Sequence, residues 1–194
     1  SARDIQDVAG GSYLSTIKFS LVHDTTDSRT DPGKGHRASL SWEQAGVLGG
    51  DYTHSRLTAG YTQHWTVAID EQDRKSVVSA RANVGQILGD APVFERFYAG
   101  GIGSMRGFDF RGISPRSGLK NDRVGGDFML LTGAEYSFPM YDKVIRGVFF
   151  TDMGTVERDF GIESWRASIG GGVRLTLEIF GTVPMEFDLA WPVV

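Results

Sequence analysis

The chain has 194 residues, 40% of them hydrophobic, with 20 Lys and Arg against 24 Asp and Glu for a net charge of -4. That balance excludes intrinsic disorder and leaves no basic stripe for a nucleic-acid partner. The absence of cysteine excludes disulfide scaffolds, thiolate metal sites and cysteine nucleophiles. No apolar run reaches the roughly 18 residues of a membrane-spanning helix, although β-strands cross a bilayer with only about 9 to 11. The opening "SARDIQDVAGG" has no signal-peptide pattern, so an exported protein would appear here as a mature or excised piece.

Period-two alternation recurs from there on, and helical periodicity is nearly absent. The first candidate strand carries Tyr13, Ile17, Phe19 and Leu21, and the second Ala38, Leu40 and Trp42. Between them "DTTDSRTDPGKG" (24–35) reads as a structured turn. The third has Leu57, Ala59, Tyr61, Trp65 and Val67 on one face, and the fourth Val78, Ala80, Ala82 and Val84. A long segment without alternation follows, at about 90–126. The fifth strand sets Phe128, Leu130, Ala134, Tyr136 and Phe138 against Asp127, Gly133, Glu135 and Ser137. The next stretch, 144–153, is ambiguous, because Val144, Val148 and Phe150 share a face with Arg146 and Asp152. The alternation is cleanest over 165–179, where Trp165, Ala167, Ile169, Val173, Leu175, Leu177 and Ile179 oppose Arg166, Ser168, Arg174, Thr176 and Glu178. Met185, Phe187, Leu189 and Trp191 complete the last strand, opposite Glu186, Asp188 and Ala190.

Eight such strands fit a soluble sandwich or barrel with an apolar inside, or a membrane barrel with an apolar outside. Several run ten residues or more, longer than the usual strand of about five or six, and their wet faces mix Arg, Asp and Glu with glycine. Short gaps near 69–74, 139–143 and 180–183 alternate with longer ones at 45–52, 90–126 and 154–164, the turn at 24–35 being the exception. This asymmetry suits a transmembrane barrel. Tyr13, Trp42, Tyr52, Trp65, Tyr136, Phe138, Trp165 and Trp191 lie near strand ends, as interfacial girdle residues do.

The long segment contains "FERFYAGGIGSMRGF" (94–108), and "GGDFMLLTGAEYSFPM" and "VFFTDMGTV" follow it. In these motifs, in this order, the chain resembles the BamA superfamily of outer-membrane assembly and translocation barrels. "GTVPMEFDLAWP" and "DTTDSRTDPGKGHRASL" extend the likeness from about Tyr13 to Val194. The family's long loop carries a (V/I)RG(F/Y) motif, here Arg106-Gly107-Phe108, with Met105 in place of the usual Val or Ile. The resemblance implies that Arg106 folds back into the barrel and meets two lumenal carboxylates, Glu135 and Asp152. Gly100, Gly101, Gly103 and Gly107 would let the loop turn sharply and pass close to the wall. A phosphate-binding loop is excluded by spacing, since Arg106 stands where the third glycine of G-x-G-x-x-G belongs.

The expected fold is therefore all-β, an antiparallel transmembrane β-barrel, and the resemblance implies that these eight strands form part of a barrel of about sixteen. By resemblance the chain is the C-terminal portion of such a domain, without its last strand or the preceding POTRA domains. The implied function is assembly and insertion of other barrel proteins into the bacterial outer membrane, with a polypeptide-translocating pore of the same superfamily as the alternative. A soluble ligand-binding barrel or a passive porin fits less well. The implied partners are the outer-membrane bilayer, nascent outer-membrane proteins as clients, and accessory assembly proteins that bind through N-terminal domains.

No enzyme, cofactor or metal is expected. His54 and His64 share a strand face but lie too far apart along it for one ion. Glu178, Glu186 and Asp188 are inward charges of a kind common in a barrel lumen, and neither a Ser-His-Asp nor an HExxH arrangement is visible. Eight strands alone could close into a small barrel, stay open or pair their edges; lipid favours a closed or paired form, because unpaired backbone groups find no water there.

Overall fold

The computed structural model describes all residues except 1, 2, 7, 9, 143 and 178–182, and it describes 4, 177, 183 and 184 through their backbone only. Ile179, Glu178 and most of the turn expected at 180–183 lie outside the described residues. After a four-residue helix, α1 (Arg3–Gln6), come the strands β1 (Leu14–Asp24), β2 (Gly35–Gly50), β3 (His54–Ile69), β4 (Lys75–Gly89), β5 (Arg116–Ser117), β6 (Asp122–Arg123), β7 (Phe128–Tyr141), β8 (Ile145–Glu157), β9 (Arg166–Leu177) and β10 (Val183–Pro192). Eight of them form one sheet in the order β1-β2-β3-β4-β7-β8-β9-β10, and β5 and β6 form a hairpin within the segment that joins β4 to β7. Neighbouring strands in the large sheet are antiparallel throughout.

Pairing fixes which face each residue takes. The register Leu21↔Leu40↔Ala59↔Val84↔Leu130 runs across five strands on the outer face. The residues between them line the concave side. Leu21 is 71% exposed, Phe187 56% and Leu189 68%. In water such a belt would be a liability; against hydrocarbon it is the solvent-facing surface. Trp65, Val78, Tyr136 and Phe149 fall in one outward row. Phe138 stacks on both Tyr136 and Phe149, with ring centroids 5.7 and 5.8 Å apart, as a girdle at one rim requires.

Three local expectations change. The segment 45–52 is largely strand, because β2 continues to Gly50 and pairs Leu14 with Gly50 across a register shift. Gly46, Gly49 and Gly50, with φ of 82, 88 and 139°, signal a loop by composition but here build a bulge that keeps the chain paired. The gap expected from 154 begins only after Glu157, where β8 ends. The ambiguous stretch resolves with Arg146, Val148, Phe150 and Asp152 facing inward and Phe149, Thr151 and Met153 outward.

At the rim of the short turns, neighbouring hairpins are tied together. Asp27 accepts bonds from the backbone N–H groups of Gly33 and Lys34 at 2.7 and 3.0 Å and from Lys75 Nζ at 3.0 Å. The Lys34 N–H, the Lys75 side chain and the Gly33 N–H hold its carboxyl well below the usual carboxylate range. Thr66 donates to the Gly33 carbonyl at 2.8 Å, and Arg146 donates to the Lys75 carbonyl and to Ser137 Oγ, both at 2.9 Å.

The concave side is filled by the segment 90–127. Its Ala91, Phe97, Ala99, Met105 and Ile113 pack with Ile87, Leu131 and Val156 of the wall into one buried apolar cluster, flanked by Phe108 and Met129. The Phe97 ring lies over Gly85, where a Cβ would stand 2.5 Å from it. The sheet does not close on itself or pair its edges, the forms that the strands alone led one to expect; the segment 90–127 lies on its concave side. β1 and β10 are the two edges of the sheet.

The facing assignment is tested by paired substitutions. Leu40→Arg, on the lipid face, is expected to lower folding stability in vesicles by about 2–4 kcal/mol if it lies near the bilayer midplane, whereas Ser39→Arg, its lumenal neighbour, changes it by about 0.5 kcal/mol or less. Urea titrations in vesicles measure both, and equal losses would mean that the faces are misassigned.

Candidate functional site

The segment 90–127 reaches its wall contacts through a tight tip. Isolated bridges pair Phe97 with Gly126, Ala99 with Ile113 and Gly101 with Met105, so two strand-like limbs carry the chain down to Arg106. Met105, at the position that differs from the resembled motif, is fully buried in the apolar cluster. Its unbranched side chain fills an irregular gap without strain. Arg106, the next residue, reaches polar groups of the wall instead.

Its guanidinium meets carboxylates from three strands. Nε and Nη2 donate to the two oxygens of Asp152 (β8) at 2.8 and 3.1 Å, a bidentate fork, and the Arg106 backbone N–H adds a bond of 3.2 Å. Nη1 donates to Glu135 (β7) at 2.8 Å and to Asp188 (β10) at 3.1 Å. The plane lies over Phe150, with Cζ 3.4 Å from the ring centroid, adding a cation–π contact. The Asp152 side chain is fully buried and that of Arg106 only 15% exposed, so water screens these charge-assisted bonds little.

Two wall arginines complete the network. Arg81 (β4) donates to Asp152 at 2.8 Å and to the Ser104 carbonyl of the tip at 3.0 Å. Arg174 (β9) forms a close pair with Asp188 through Nη1, donates to it through Nη2 at 3.1 Å and to Glu135 at 3.2 Å, and has Nε 3.4 Å from Glu186. The wall glycines clear space for these groups. A Cβ on Gly172 would lie 2.1 Å from Asp188, one on Gly170 2.4 Å from the Phe150 ring, and one on Gly133 2.8 Å from Asp152.

The structure thus brings together Arg106, Glu135 and Asp152, the trio singled out in the sequence. Phe108 joins the margin of the apolar cluster. Gly100, Gly101, Gly103 and Gly107 all take positive φ. At Gly100 a Cβ would meet the Asp109 carbonyl at 2.3 Å, and at Gly107 it would press on Ser168 and Ala190 at 3.2 and 3.3 Å. Sequence reading does not assign Arg81, Phe150, Arg174 or Asp188 to this network. Wet-face parity marks Arg174 and Asp188 as lumenal, but only the β9–β10 and β8–β9 registers bring them to the same spot.

The remaining candidates lie apart from this network. His64 Nδ1 is 2.7 Å from Ser79 Oγ. His54 is buried, with neither ring nitrogen hydrogen-bonded. Among the described residues there is no group of three His, Asp or Glu that could hold a metal ion. The site holds ion-paired carboxylates and cations in fixed positions, which is the equipment of a clamp.

Residues 2–194 match the Omp85 superfamily domain. The chain belongs to the Omp85 superfamily. It is 32% identical over 190 residues to outer membrane protein assembly factor BamA of Nitratidesulfovibrio vulgaris, which covers 88% of this chain and 23% of that relative. It is 27% identical over 196 residues to the sorting and assembly machinery component 50 homolog of Mus musculus, covering 89% of this chain and 40% of the relative. The crystal structure of BamA from Haemophilus ducreyi lacking POTRA domains 1–3 has the same fold, with a TM-score of 0.79 at 20% identity over 92% of this chain and 38% of that one. This Omp85 chain spans about a quarter of the length of the curated BamA relatives it matches. Its open sheet is accordingly a stretch of transmembrane β-barrel wall.

The close approach at Gly107 gives a test of tip docking. Gly107→Val combines a disfavoured φ of 89° with contacts to Ser168 and Ala190. The variant barrel is expected to assemble but to be cut by added protease within residues 100–112, where the parent protein resists. Equal resistance would show that the tip tolerates the bulk and is not pressed against the wall.

Proposed function

We propose that this chain is the C-terminal part of an outer-membrane barrel that assembles and inserts other β-barrel proteins, in a bacterial outer membrane. Superfamily membership and the assembly factors among its relatives support this reading. The observation that carries it is the occupied concave face of the sheet. The segment 90–127 occupies the concave side with an apolar core and is bolted to β7, β8 and β10 through Arg106. A barrel so occupied is poorly arranged to pass a polypeptide, and this weighs against the translocation-pore reading.

Insertion needs no covalent chemistry. A client strand gains by burying its apolar face in lipid and by pairing its backbone groups, and the protein's task is to lower the barrier to reaching that state. In this reading Arg106, Glu135 and Asp152 keep the loop in place and so hold the shape of the wall. The clients are nascent outer-membrane proteins, and accessory assembly proteins attach through domains outside this chain.

The test uses the full-length protein in liposomes, with the folding rate of an unrelated barrel protein as the readout. The wild type is expected to accelerate client folding, and Arg106→Glu, which sets a fourth negative charge among three carboxylates, to abolish the acceleration while the barrel itself stays folded. If neither form accelerates folding but the wild type conducts ions or passes a polypeptide, the pore reading replaces this one.

A further inference from the structure

Every carboxylate that Arg106 touches is also held by an arginine of the wall. Asp152 has Arg81, and Glu135 and Asp188 share Arg174. The wall groups Arg81, Arg174, Glu135, Asp152 and Asp188 therefore sum to one negative charge without the loop, and the docked Arg106 brings the sum to zero. Lifting the tip strands no buried carboxylate. This departs from the usual buried ion pair, where removal of one partner leaves an uncompensated charge and a large penalty.

We infer that Arg174 is a positioning residue that acts as a competing counter-cation and sets how readily the loop tip leaves its docked place. It sits on β9, 14% exposed, and its Nη2 reaches the same two oxygens that Arg106 Nη1 uses, Glu135 Oε2 and Asp188 Oδ2, while its Nη1 holds Asp188 Oδ1. Two cations converging on the same oxygens weaken each other's hold in the docked state. When the tip lifts, Arg174 alone keeps both carboxylates paired. Arg81 acts differently, because it also donates to the Ser104 carbonyl and so holds the tip directly. Phe150 then offers a bare aromatic face that only a planar cation refills well. The wall is therefore a guanidinium receptor with a built-in competitor, and the loop is a reversible ligand of it. This inference rests on the site's geometry and not on the assembly reading.

The two roles open to Arg174 predict opposite signs. If it braces Glu135 and Asp188 to receive Arg106, its removal loosens the tip; if it competes, its removal tightens it. Because these 194 residues contain no cysteine, Met105→Cys, at a fully buried tip position, supplies a local reporter in the full-length protein, with any cysteine elsewhere replaced by serine. A thiol reagent labels it only when the tip lifts, and the rate follows the open population. Adding Arg174→Gln is expected to slow labelling by about tenfold, within the range of coupling between charges of one network, and Arg174→Lys to restore a rate near that of the parent. Heat-modifiable gel migration confirms that each barrel is folded.

Should Arg174→Gln not assemble, Arg174→Gln with Glu186→Gln keeps the net charge and carries the same expectation, since Glu186 meets Arg174 at 3.4 Å and is more than half exposed. Faster labelling in the folded variants would establish the brace and overturn the proposal. An unchanged rate would overturn it as well. Client-folding rates are read separately, so the assembly reading can fail while slower labelling still supports the competitor.

Discussion

One delocalised cation ties the inner loop to the wall. The Arg106 guanidinium takes carboxylates from β7, β8 and β10 and lies flat on Phe150 of β8. An ammonium could match the charge but not the geometry, because a planar fork satisfies two oxygens of Asp152 and still presents an edge to Glu135 and Asp188. The wall is shaped around that ion. Glycines at 133, 170 and 172 stand where any Cβ would collide with the network, and they are the one glycine of β7 and two of the three in β9.

The loop is held by two unlike forces with separate tasks. Met105, Phe97, Ala99 and Ile113 pack against Ile87, Leu131 and Val156, and this burial is strong but indifferent to small displacements. The ionic contacts of the next residue are directional, since hydrogen bonds weaken steeply as geometry departs from linear. The apolar cluster keeps the loop inside; the guanidinium decides where along the wall it rests. Having both at adjacent residues, 105 and 106, makes the tip a single element in which packing and register cannot be separated.

Much of this was legible in the sequence because a barrel wall obeys period two. The outer rows through Leu21, Leu40 and Phe187 and the inward placing of Glu135 follow from parity alone, whereas the lumenal place of Asp152 and the role of the loop arginine followed from the family resemblance. What parity cannot give is register, so Arg174 and Asp188 were visible as wet-face residues but not as neighbours. The 144–153 stretch was ambiguous for a reason now clear: Phe150 and Val148 are apolar residues that face the lumen, one as the platform for Arg106 and the other fully enclosed. The glycines at 46, 49 and 50 misled in the other direction, since composition does not distinguish a bulge from a loop. That the eight strands stay open was not decidable from the strands themselves.

The ties at the short-turn rim have a mechanical consequence. Asp27 grips Lys75, Thr66 grips Gly33, and Arg146 grips the backbone of Lys75, so the β1–β2, β3–β4 and β7–β8 hairpins are laced by bonds that run around the circumference, across the strands. Such lacing works like a hoop on a barrel of staves. A push on any one of these turns is shared among six strands rather than absorbed by one, and that end of the wall becomes the stiff frame from which motion elsewhere is levered.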